Sequence, residues 1–203
     1  MLWGSAVVRG VQSSVTGSQA RCEFRSAVLH PCHTVHWFTR YVRSLELVLD
    51  PSSDTAVRAA WDALVRADLP SLGRSDTNSP HVTLAAGDDL RIPSGFDVPV
   101  PSRLRLGGVL LFPAGPGRSV LARAVVVDPA LAAFHEAVHR ASPGGVETTS
   151  PGAWSPHLTF ARRVRDEDLG AAVAALRGTP LPDLVVGGVR FWDGESRTVT
   201  SIG

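Results

Sequence analysis

Residues 134–140 read "FHEAVHR", and inside them HEAVH matches the H-E-x-x-H pattern in which two histidines one helical turn apart hold zinc and the glutamate serves as base. Here those residues are His135, His139 and Glu136. A third ligand is missing. The extended pattern requires Gly at position 142 and His at 145, where the chain has Ser142 and Gly145; Glu147 follows too closely, and Glu167 has no zincin signature around it. A zinc metalloprotease is therefore the third choice of function, and His135 and His139 are read as flank residues of an amphipathic helix. A stronger signal is written twice. "SPHVTLA", residues 79–85, returns as "SPHLTFA", residues 155–161.

On an extended strand alternate side chains share a face. His81 and Thr83 then point one way and Val82 and Leu84 the other, and His157 and Thr159 are set against Leu158 and Phe160 in the same manner. Each strand offers a polar pair to a cleft and an apolar pair to a core. Two imidazoles and two hydroxyls converging on one point suit displacement at a phosphodiester, which needs a base for the attacking oxygen and an acid for the departing one. An imidazole with its ordinary pKa of about 6.5 can serve in either form near neutrality. The hydroxyls can donate to the non-bridging oxygens. This chemistry requires no metal and no cofactor.

The elements that position these strands are also duplicated. "SLELVLD" alternates as a half-buried strand and ends in Asp50-Pro51. "SSDTAVRAAWDALVRADL" then places Val57, Trp61, Leu64 and Val65 on one helical face, with Ser53 or Asp54 as the expected cap. Later "SVLARAVVVD" ends in Asp128-Pro129, and "ALAAFHEAVHRA" carries Leu131, Phe134 and Val138 on one face. Asp50 stands 31 residues before His81, and Asp128 stands 29 before His157. Residues 113–117 turn a hairpin between the units. Asp166 is expected to cap a third helix with Leu169, Val173 and Leu176 on its apolar face, and a last strand pair turns at Asp193-Gly194. The expectation is an α+β fold, bilobal and duplicated, with two antiparallel sheets and flanking helices around a central cleft.

Composition bounds the alternatives. The 203 residues are 44% apolar and 19% charged with a formal net charge of +1, which argues against a protein that coats nucleic acid through a broad basic surface. No apolar run approaches the roughly 20 residues of a membrane span. All 20 basic residues are Arg, and both cysteines, Cys22 and Cys32, fall in the first 40 positions, so the rest of the chain is expected to fold without disulfides, which suits a cytoplasmic protein. Residues 1–42 are rich in Ser, Arg and Gly with one acidic residue, Glu23, and are read as a poorly ordered extension. An organelle presequence would share that composition. His30, His33 and His36 beside the two cysteines fit no zinc spacing. Residues 43–203 form the domain.

The paired motifs resemble those of the 2H phosphoesterase superfamily, and their layout resembles its 2′-5′ RNA ligase-like, or RNA 2′,3′-cyclic phosphodiesterase, branch. The resemblance covers roughly residues 43–203. It implies a bilobal fold with a pseudo-two-fold axis, His81 and His157 as the catalytic pair, and Thr83 and Thr159 as phosphate-binding residues. The implied substrate is an RNA end or a cyclic nucleotide, opened by hydrolysis to a 2′-phosphate, with 2′-5′ ligation as a related activity. A monomer is expected. Pseudo-symmetry leaves open which histidine is acid and which is base. Arg162 stands where family members often have Arg, but strict alternation turns it away from His157, so it is not assigned as a ligand. A non-catalytic module that binds RNA ends or nucleotides is the alternative reading.

Overall fold

The computed structural model describes residues 43–202. The extension expected over residues 1–42, with its cysteines and three histidines, lies outside them. Strand β1, Arg43–Leu49, passes through Asp50 into helix α1, Pro51–Arg66, and a loop returns the chain as β2, His81–Gly87. A short β3, Arg103–Leu104, precedes the hairpin of β4, Leu106–Pro113, and β5, Arg118–Val125. From there Asp128 leads into α2, Pro129–Ala141, and on to β6, His157–Arg165. Helix α3, Leu169–Arg177, and the pair β7, Leu184–Asp193, and β8, Thr198–Ile202, complete the domain.

Both main helices start in the same way. The Asp50 carboxylate accepts from Ser53 N at 2.9 Å, and that of Asp128 from Leu131 N at 2.8 Å, each with proline in the first turn. The cap expected at Ser53 or Asp54 thus falls at the aspartate itself. Ser53 is buried, and its Oγ accepts from Val185 N at 2.8 Å, which ties α1 to β7. Asp166 likewise does not cap α3: it opens a short 3-10 turn, and the helix begins at Leu169.

The strands lie in the order β3-β7-β1-β2-β6-β5-β4, with β8 on β7, and every pairing is antiparallel. In place of the two expected sheets, the strands form one continuous sheet, whose two sides meet at a single residue pair, Val82 with Leu158. On the first side lie β2, β1, β7 and β8; on the second lie β6, β5 and β4. Helices cover one face. Leu45 and Leu47 of β1, Val57, Trp61 and Leu64 of α1, Leu131, Phe134 and Val138 of α2, and Leu158 and Phe160 of β6 form one continuous core. Full burial of side chains of this size is worth roughly 1.5–3 kcal/mol each. The opposite face carries the polar side chains of the motifs.

Equivalent irregularities interrupt both motif strands. Consecutive Leu45 and Glu46 oppose Ala85 and Thr83, which leaves Leu84 as an extra residue; consecutive Leu121 and Ala122 oppose Ala161 and Thr159, which leaves Phe160 as another. Each bulge follows its motif threonine. It reverses the alternation beyond that point, so Phe160 and Ala161 are both buried.

Candidate active site

The single pair Val82–Leu158 places Thr83 next to the level of His157, and His81 next to that of Thr159, on the face away from the helices. All four motif side chains are partly exposed on this face. Each histidine is oriented by its own strand entry. The Nδ1–H of His81 donates to Ser79 O at 2.7 Å, and that of His157 to Ser155 O at 2.7 Å. With Nδ1 committed, Nε2 is the nitrogen each ring offers to a substrate. The Ser-Pro step before each histidine explains the bond: proline fixes the backbone so that the serine carbonyl lies beneath the ring.

The threonine carbonyls are held across the seam. Trp154 Nε1–H donates to Thr83 O at 2.9 Å, and Trp61 Nε1–H donates to Thr159 O at 3.2 Å. Trp61 stands on the first unit's helix and Trp154 in the loop before β6, so each indole binds the other unit's motif strand.

Around the histidines the units differ. Glu46 is opposite Thr83 on one side and Arg190 on the other, so the three share a face. Its carboxylate is 5% exposed; Oε2 accepts from Arg190 Nε at 2.7 Å, Oε1 accepts from Ser44 Oγ at 2.7 Å, and Oε1 lies 3.6 Å from His81 Nε2. Burial acts to raise the pKa of this carboxyl, but the charges of His81 and Arg190 and the two hydrogen bonds outweigh it and hold the group below its ordinary 4.5. In the second unit the corresponding row is Thr159, Ala122 and Leu110. Phe112 lies against His157 with ring centroids 4.6 Å apart. Burial lowers the pKa of His157, the Ser155 carbonyl opposes the shift, and the charges of His81 and Arg162 add to it.

That Arg162 acts on His157 overturns the expectation from strict alternation. The bulge at Phe160 shifts the phase by one, so Arg162 returns to the face of His157 and Thr159. It is exposed. Glu46 and Arg190 were not singled out from the sequence. The available signal was a glutamate on the polar side of an otherwise apolar strand.

HEAVH has a structural task. His135 is 3% exposed, contrary to its reading as a flank residue, because it lies one turn from Leu131 and Val138 on the buried side of α2. Its ring stacks on Trp154 at 3.8 Å with 5° between planes. Its Nε2 faces Leu84 O at 3.0 Å and Thr149 O at 2.9 Å, and His139 Nε2 faces Leu84 O at 3.3 Å. Both zinc-donor nitrogens of the pattern are thus turned to backbone carbonyls. Burial, then the charge of His139, lowers His135 to a pKa of about 4 against weaker support from the two carbonyls. Among the described residues no group of three or more His, Cys, Asp or Glu is placed to hold a metal ion, and no helix is long and apolar enough to cross a membrane.

Residues 99–198 match the family model described as the 2′-5′ RNA ligase superfamily. That span contains the second motif and ends inside β8; the first motif precedes it. A solved structure titled "Structure of Kluyveromyces marxianus Usb1" aligns over 79% of this chain and 96% of that one, at 12% identity and a TM-score of 0.43. No curated protein matches the sequence. Over residues 99–198, which include the second His-x-Thr motif, the chain is thus similar to the 2′-5′ RNA ligase superfamily.

Proposed function

We propose that the protein is a metal-independent phosphoesterase that opens a 2′,3′-cyclic phosphate, on an RNA end or a related nucleotide, to a 2′-phosphomonoester. The observation that carries this reading is the pair of His-x-Thr strands on one face, each ring with Nδ1–H bound to the carbonyl two residues before it. Burial favours the neutral form of His157, which suits it to take a proton from water. The water oxygen bonds to phosphorus, the bond to the 3′ oxygen breaks, and His81 Nε2 delivers a proton to that oxygen. Thr83 and Thr159 donate hydrogen bonds to the non-bridging oxygens, and Arg162, on the same face, supplies a positive charge to them. A 5′-hydroxyl in place of water would form a 2′-5′ linkage through the same steps.

The test is incubation of the pure protein with nucleoside 2′,3′-cyclic phosphates and with RNA bearing such an end, in excess chelator. The expected product is the 2′-phosphate at an undiminished rate. Formation of the 3′-phosphate, absence of turnover, or inactivation by chelator with recovery on adding zinc would overturn the reading.

A further inference from the structure

We propose that Trp61 and Trp154 are positioning residues that set the distance between the two His-x-Thr strands, and that His135 of HEAVH holds Trp154 in place for this task. The inference rests on the reading of those strands as the reacting pair. Strand pairing contributes only Val82 with Leu158 across the seam, which fixes one point and leaves the angle between β2 and β6 to other contacts. The two indoles supply those contacts reciprocally. Trp61 reaches from α1 to Thr159 O, and Trp154 reaches from the loop before β6 to Thr83 O. Each accepting carbonyl belongs to a motif threonine, so a change at either bond is felt one peptide from the reacting groups. Trp61 is fully buried, and Trp154 is clamped by the parallel ring of His135, whose Nε2–H binds the next carbonyl along β2, that of Leu84. That carbonyl belongs to the bulged residue, which the register with β1 skips.

The distance between the strands can be read without any reaction. The charge of His81 is one of the causes that depress His157, and this effect falls as the two rings separate. The other charged groups facing the pair are Arg162 on β6, Glu46 on β1 and Arg190 on β7, and none is altered in the test. The His157 ring is titrated by NMR in four proteins: wild type, His81→Ala, Trp154→Phe, and the double variant. The same set is made with Trp61→Phe.

In the wild-type background His81→Ala should raise the His157 midpoint, and in either tryptophan background this rise should shrink to half or less. Turnover of a 2′,3′-cyclic nucleotide should fall roughly ten- to a hundredfold in each Trp→Phe variant with KM little changed, the scale expected when reacting groups are displaced by about 1 Å. Should phenylalanine prevent folding, the sulfur isostere benzothienylalanine, incorporated at the same position, removes only the N–H. An unchanged effect of His81→Ala on His157 in the folded variants would overturn the proposal, whatever the thermal stability. If the ring titrations behave as expected but wild type turns over no cyclic nucleotide, the functional reading fails and the positioning role stands.

Discussion

The two histidines enter their strands through the same Ser-Pro step and bind the same carbonyl, yet their neighbours differ in kind. Beside His81 the row across the sheet is Thr83, Glu46 and Arg190, a buried ion pair with its carboxylate 3.6 Å from the ring. Beside His157 it is Thr159, Ala122 and Leu110, with the Phe112 ring against the imidazole. The shared entry gives the two rings matching geometry, which suits the proposed reaction with one proton leaving and one arriving. Matching surroundings would give both rings the same proton affinity. The divergence lies one and two strands away from the histidines, where side chains change the local field without moving the rings.

The symmetric part of this comparison has the largest consequence. His81→Ala and His157→Ala should each lower turnover by on the order of a hundredfold or more, and the double variant should be little worse than either, because groups that act as one unit are not additive. A large loss from only one of the two, measured as kcat with a cyclic nucleotide, would break the pairing.

The asymmetric part should appear first in stability. Glu46→Ala leaves the Arg190 charge partly buried without its partner and should cost about 3 kcal/mol in urea unfolding, the scale for breaking a buried pair. Since Glu46 is held below 4.5 in the folded protein, the unfolded chain binds more protons than the native one between the two values. The stabilisation from this group is present above 4.5 and is lost as pH falls through the folded value. Glu46→Gln should remove that part of the acid dependence.

His135 gives a second acid effect, located behind the first unit's strand. Its pKa of about 4 against an ordinary 6.5 means that the unfolded chain takes up the proton first, so stability falls as pH drops from 6.5 toward 4. His135→Gln should flatten unfolding free energy across that window, and a slope equal to wild type would remove His135 as its source. The smallest expected effect lies at the other ring. Phe112→Ala admits water to His157, and its NMR titration midpoint should move up toward 6.5; an unchanged midpoint would show that burial there comes from elsewhere.

The sequence shows most plainly what local pattern determines. The strand that ends in Asp-Pro, the helix with Val57, Trp61 and Leu64 inward, and the His-x-Thr strand recur in order, and all of them form. What it hides depends on register. Glu46 reads as the polar side of a half-buried strand, and only pairing with β2 and β7, distant in the chain, turns that side into the floor beneath His81. Arg162 is misplaced by simple alternation because a bulge at Phe160 cannot be read from residue types. His135 fits the edge of a helical stripe as well as its centre, and the deciding partners, Trp154 and Leu84 O, lie on other elements.

The strand order also separates the halves in time. Strands β4, β5 and β6 occupy one stretch, residues 106–165, so the side of the sheet bearing His157 is available in full once that stretch has left the ribosome. The side bearing His81 is not. Its central strand β1 pairs with β7, where Arg43 meets Asp193 across 150 residues, and Arg190, the partner of Glu46, follows it by 144. Until β7 has been made, the nascent chain therefore holds a buried-to-be glutamate without the Arg190 cation that meets it, and the domain can close around that charge only after β7 arrives.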